Sequence, residues 1–221
     1  GDSLVAKTSQ PRPPIPYSLL GVTDPCAFFF LDLLDLDYYH YVLTTPHQIN
    51  VLIDDRRNLR AVYDALFWAT RDALIDGVGH DSNILAEPGM LVVLHSWSQL
   101  LEFHLHTHIM LPAAGWSLGD RNHFVTTKDV EWLPIKDVMR LFSDKLIQEL
   151  TKARNRGKFE YQGNHSKPKL HMTGLASFLA DDNAWDRWTK RLGGLEWTGH
   201  CGEPGLPAES TLEYLVLDAQ E

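Results

Sequence analysis

Two kinds of hydrophobic spacing divide this chain. Short, dense runs of apolar and β-branched residues predict strands, and apolar residues recurring every three or four positions predict helices. Tyr38 to Thr45 is of the first kind and is ended by Pro46, which predicts a first strand. From Asp54, a residue suited to capping a helix, Leu59, Val62, Leu66, Ala69 and Ala73 recur at helical spacing through to about Gly77. A loop with Asp81, Ser82, Asn83 and Pro88 follows. Met90 to Trp97 and Phe103 to Leu111 then read as neighbouring strands, and Gly115 to Asn122 as a turn-rich link into Phe124 and Val125. Pro134 stands where a helix should begin, and Ile135, Val138, Phe142, Leu146 and Leu150 form one long apolar stripe. A shorter helix is expected over Trp185 to Leu192, a last strand over Glu196 to His200 and a final helix over Ala208 to Leu217. Strands joined by both tight turns and helices make an α+β domain with a largely antiparallel sheet and flanking helices.

Within the second of the paired strands, His104, His106 and His108 occupy alternate positions. Residues two apart in a strand point to the same face, about 7 Å between successive members, so the segment projects three imidazoles in one direction. Imidazole is the commonest metal ligand, and the apolar runs on either side would hold the rings on a rigid sheet. His95, at the end of the apolar run Leu91 to Leu94, reads as a core histidine or one that supports a ligand.

Composition narrows the setting. The 221 residues are 44% hydrophobic, enough for one substantial core, and the formal net charge is −9. That balance disfavours a nucleic-acid partner, whose phosphates are met by Lys and Arg. Yet from Lys136 to Lys169 nine basic residues face four acidic ones, a local +5 that suits either a solvated helix face or a surface that tracks phosphates. The longest apolar stretch near the N-terminus, Cys26 to Leu34, is interrupted by Asp32 and is too short to cross a bilayer. No basic region with a cleavage site precedes it, so the expected location is cytoplasmic. Cys26 and Cys201 make neither a disulfide framework nor a zinc knuckle.

Four blocks resemble the rolling-circle insertion-sequence transposases of the ninety-one group, which are HUH (histidine, hydrophobic, histidine) two-tyrosine enzymes. They are Tyr38-Tyr39-His40-Tyr41-Val42 running to Thr45-Pro46-His47, then His95-Ser96-Trp97-Ser98-Gln99, then His104 to Pro112, then Leu212-Glu213-Tyr214-Leu215, in the family's order. The interval from Trp197 to Tyr214 also matches. The resemblance implies an HUH-type sheet over residues 38–221, read as a truncated catalytic domain, with residues 1–37 a poorly structured leader. It implies that His106 and His108 hold Mg²⁺ or Mn²⁺ against a phosphate of single-stranded DNA at a transposon end. His104 or Gln99 would be the third ligand, and Tyr214 the nucleophile of DNA nicking and strand transfer in transposition, a form of DNA recombination. A tyrosine ester keeps the broken strand attached for a second strand to attack.

The sequence departs from that family's pattern. Asp218 stands four residues after Tyr214, where a second tyrosine is expected. The family's cysteine-rich zinc domain and the basic residues beyond the last helix have no counterpart, and Thr107 occupies the hydrophobic position between the paired histidines. These losses fit a shortened or decayed reading frame and a catalytically dead DNA-binding remnant as the alternative function. Other His-x-His hydrolases fit poorly: an amidohydrolase barrel needs roughly 250 residues, and no Glu follows within residues 109–119, where a cupin carries one.

Overall fold

The computed structural model describes residues 36–81, 86–97, 103–119, 123–126, 133–156 and 167–202. Four strands, β1 (Tyr38–Thr44), β3 (Leu91–Trp97), β4 (Phe103–Pro112) and β7 (Gly199–Cys201), form one sheet in the order β3-β4-β1-β7. Each of its pairings is antiparallel. Its helices are α1 (Asn50–Ile53), α2 (Leu59–Asp76), α3 (Ile135–Arg156) and α4 (Asp182–Gly193). The α+β reading with an antiparallel sheet and flanking helices is therefore correct.

Alternation gives the sheet two unlike faces. Leu105, Thr107, Ile109 and Leu111 of β4 and Tyr39, Tyr41 and Leu43 of β1 are buried, the apolar ones in one core with Val62, Leu66, Ala69 and Ala73 of α2 and Val138, Phe142, Leu146 and Leu150 of α3. These are the stripes the spacing marks out, and each large aliphatic side chain so buried contributes about 1.5–3 kcal/mol. On the other face, Tyr38 and Met110 form a small apolar cluster with Leu36, Leu91 and Val93. Past that cluster the face carries His40, His95, His104, His106 and His108, with Val42 and Thr44 of β1 among them.

Several elements differ from the expectation. The first long helix begins at Leu59 rather than near Asp54, because Asp55 caps a separate 3₁₀ turn by accepting from the Arg57 amide. The buried Asn58 then ties three segments, donating to the carbonyls of Leu52 and His171 and accepting from the His171 amide. The segments read as a loop at Pro88 and a turn-rich link at Gly115 instead contribute to a second sheet, β2 (Ala86–Pro88), β5 (Ala114–Ser117) and β6 (Phe124–Thr126), in the order β2-β5-β6. Gly115 is what permits it, since a Cβ there would lie 2.6 Å from the backbone carbonyl oxygen of Glu87. The last strand is shorter than expected, Gly199–Cys201. The expected leader up to Asp35 and the expected final helix from Ala208 lie outside the described residues.

The basic segment is partly structural. Lys145 pairs with Asp76, Lys152 with Glu149, and Arg156 donates to the Pro168 carbonyl. Arg154 is buried, donates to the carbonyls of Leu179 and Ala180, meets Asp182 at 2.8 Å and stacks over Trp185. It fastens the end of α3 to the start of α4, whose first turn is capped by the Asp181 carboxylate accepting from the Ala184 amide. Among the described residues, no helix is long and apolar enough to cross a membrane.

Thr107 shows why a hydroxyl is tolerated between the histidines. It points into the helix face, fully buried, and shares a hydrogen bond of 3.2 Å with Thr70 of α2, also fully buried. Thr107→Val should therefore cost about 1–3 kcal/mol, since it strands the Thr70 hydroxyl, whereas the double variant with Thr70→Val should recover most of that loss. Urea denaturation of the two singles and the double measures this. A double variant as unstable as the two singles summed contradicts the pairing.

Candidate metal centre

β4 is paired on both edges, to β3 and to β1, so its side chains are held by hydrogen bonding on two sides. His106 lies directly opposite His95 of β3, and His108 lies between Val93 of β3 and Val42 of β1. The ring centroids are 5.3 Å apart for His95 and His106, 4.4 Å for His95 and His108, and 5.0 Å for His106 and His108. One nitrogen from each of these three residues lies within 4.8 Å of the others. His95 and His108 are buried, and His106 is half-buried at the open side of the group.

A one-residue irregularity in the ladder brings His95 here. Trp97 pairs with Phe103, but the register shifts between Trp97 and His95, and from there on His95 pairs with His106. Had the register of Trp97 continued, His95 would oppose Leu105, which faces the helices. A slip of one residue exchanges the two faces of a strand, and here the bulge makes that exchange on purpose.

The protons of the group are partly fixed. Nδ1 of His106 lies 2.9 Å from the backbone carbonyl oxygen of His104. A carbonyl only accepts, so that nitrogen carries the hydrogen and Nε2 presents its lone pair. Burial, and then the neighbouring His95, His106 and His40, push the pKa of His108 down to about 3. The pKa of His40 is also lowered, by burial first and then by His200 and His95. A ring that stays neutral is a ring that can ligate, and three imidazole nitrogens make a donor set for a divalent first-row ion.

The remaining residues singled out by sequence fall as follows. His104 lies outside the group of three, its ring half-buried and 5.2 Å from that of His47. The neighbour comes from the exit of β1, where the Thr45 amide and hydroxyl both donate to the Leu105 carbonyl. Gln99 and Tyr214 lie outside the described residues. Trp197 is on the helix side, donating to the Leu192 carbonyl and packing edge-on against Phe142. Sequence reasoning gave no part in the group to His95, nor any role to His40, whose Nε2 lies 2.9 Å from Nδ1 of His108. Register and cross-strand neighbours carry both facts, and neither is written in spacing along one strand.

The depressed pKa of His108 has a sign that can be checked. Its folded value lies below the ordinary 6.5, so between those limits the unfolded chain binds a proton that the folded chain refuses. Stability is then complete above about pH 6.5 and lost as the pH falls toward 3, by at most about 1.4 kcal/mol per pH unit for this ring. Urea unfolding in chelator should show a falling midpoint from pH 7 to pH 5, and His108→Asn should flatten that slope. A wild-type midpoint constant over this range contradicts the assignment.

The chain is 29% identical over 184 residues to "Putative transposase y4qJ" of Sinorhizobium fredii (strain NBRC 101917 / NGR234). The match takes in 83% of this chain and 43% of that protein, so the chain spans less than half the length of this relative. Among solved structures it is similar to the conjugative relaxase TrwC in a metal-bound complex with oriT DNA, at 14% identity and a TM-score of 0.34, covering 81% of this chain and 69% of that one. It is similar also to TrwC complexed with a 27-mer DNA comprising the recognition hairpin and the cleavage site, at 14% identity and a TM-score of 0.33, covering 82% and 72%. The profile of the family described as "Putative transposase" matches residues 89–217, more than half of the chain and including all three grouped histidines, and the chain belongs to this transposase family.

Proposed function

We propose that this chain nicks single-stranded DNA and transfers the broken strand, with Tyr214 as nucleophile and the His95, His106 and His108 group holding a divalent cation beside the phosphate. The observation that carries the reading is the group itself: three imidazoles gathered on the face of the sheet opposite α2 and α3, in a chain of the transposase family. His95 takes the place for which the sequence offered His104 or Gln99. The donor set fits Mn²⁺ better than Mg²⁺, because imidazole nitrogen is softer than the oxygen ligands Mg²⁺ prefers, and phosphate oxygens would complete either shell. A divalent ion bound there supplies Lewis acidity to the phosphoryl group and orients it.

The rest belongs to the chain. The phenol oxygen of Tyr214 forms a bond to phosphorus while the bond from phosphorus to one sugar oxygen breaks, and the phenol proton ends on that leaving oxygen or in solvent. Since tyrosine has a pKa near 10, attack depends on a local influence that favours the phenolate. The ester conserves the energy of the broken linkage, so a hydroxyl of a second strand can displace Tyr214 without an added energy source. Asp218 stands where the resembled pattern has its second tyrosine, so one chain holds one covalent strand at a time. The substrate is a transposon end, met in the cytoplasm. The same substitution, with a net charge of −9, favours a second reading, a chain that binds metal and DNA without cutting.

The test is a nicking assay on a random-sequence pool of single-stranded DNA with Mn²⁺, Mg²⁺ or chelator, scored by a covalent adduct that survives denaturing electrophoresis. Wild type should form the adduct only with a divalent ion. Tyr214→Phe should abolish it while retaining metal binding, and His106→Ala should reduce it by about 10² or more, the scale of lost positioning of a phosphoryl group. Metal and DNA binding by the wild type without any adduct would overturn nicking in favour of the binding-only reading.

A further inference from the structure

His40 stands on β1, the strand paired with β4, on the same face of the sheet as the grouped histidines and outside their number. Its Nε2 lies 2.9 Å from Nδ1 of His108, and the two rings stack with centroids 5.1 Å apart and 22° between their planes. In such a contact one nitrogen donates and the other accepts, and only one assignment suits a ligand. An imidazole that offers Nε2 to a cation must carry its hydrogen on Nδ1, and it is oriented and made more basic by whatever accepts that hydrogen. For His106 the acceptor is the His104 carbonyl. His108 has His40 at Nδ1.

From this geometry we infer that His40 is a positioning residue: it accepts the Nδ1 hydrogen of His108, holds that ring in one tautomer and orientation, and thereby strengthens the cation site without touching the cation. The inference rests on the reading of the three histidines as a cation site. It assigns His106 and His108 different kinds of support. His106 is fixed by a backbone carbonyl two residues away on its own strand, which no side-chain substitution removes. His108 is fixed by a side chain on another strand, so its support can be deleted or replaced at will.

The experiment compares wild type, His40→Phe and His40→Gln. Phe keeps a flat ring for stacking but has no acceptor, and Gln offers an amide oxygen in place of the ring nitrogen. Two readouts are taken on each: the tautomer of His108 from two-bond imidazole ¹H–¹⁵N spectra of the metal-free chain, and Mn²⁺ affinity by calorimetry. Circular dichroism in chelator confirms that each variant is folded. Wild type should show His108 with its hydrogen on Nδ1. His40→Phe should release it toward the Nε2–H form and weaken Mn²⁺ binding about 10- to 100-fold, the usual cost of losing such a partner, and His40→Gln should recover most of both. If His40→Phe leaves the tautomer unchanged and Mn²⁺ affinity within threefold of wild type, the inference is wrong. If wild type binds no Mn²⁺ but His108 holds the Nδ1–H form only when His40 is present, the cation reading fails while the positioning contact stands.

Discussion

The structure depends on the register of β3 against β4. Across one bulge the pairing moves by a residue, and that shift sets His95 opposite His106 instead of opposite Leu105. Without it, His95 would sit opposite Leu105 and an ionisable ring would enter the hydrocarbon face. Register in a two-faced sheet is strongly specified because every side chain changes sides when it slips. Here the buried face does the specifying: Leu105, Ile109 and Leu111 of β4 have their place among α2 and α3, so the intervening histidines are committed to the other side.

The two faces then divide the labour. The helix face supplies rigidity through continuous apolar packing and the Thr70–Thr107 contact, and it draws in residues that sequence alone marks as solvent-facing, such as Arg154. The four strands of the main sheet carry no Lys, Arg, Asp or Glu, so the titratable groups on the face opposite the helices are chiefly imidazoles. Crowded imidazoles repel one another's protons, which is why burial and neighbours together keep His108 neutral. A ring kept neutral on a rigid strand is ready to ligate with little to reorganise on binding. The basic helix α3 lies against the opposite face, and several of its cations are engaged with Asp76, Glu149 or backbone carbonyls. Part of its local excess of positive charge is thus engaged within the fold.

Much of this was legible in the sequence, for identifiable reasons. Period two in β4 and period 3.6 in α2 and α3 are local properties, so the alternation of His104, His106 and His108 and the stripe from Val138 to Leu150 could be read directly. Pro134 before α3 marked a boundary through chemistry that acts within one turn. The small sheet was not legible, since β2 and β6 are three residues each and depend on the close approach that Gly115 allows. Nor could spacing choose the third member of the histidine group. His104 is in phase with its neighbours and its ring lies 5.8 Å from that of His106, yet it stands outside the group of three, beside His47. His95 and His40 come from other strands, and only the pairing reveals them.

The central claim is that His95, His106 and His108 act together as one cation site. X-ray absorption at the manganese edge of the Mn²⁺-loaded chain, read alongside the same measurement on His95→Ala, addresses it most directly. The account predicts a shell containing three imidazole nitrogens in the wild type and two in the variant. A wild-type shell of oxygen alone, or one that His95→Ala leaves unaltered, would contradict it.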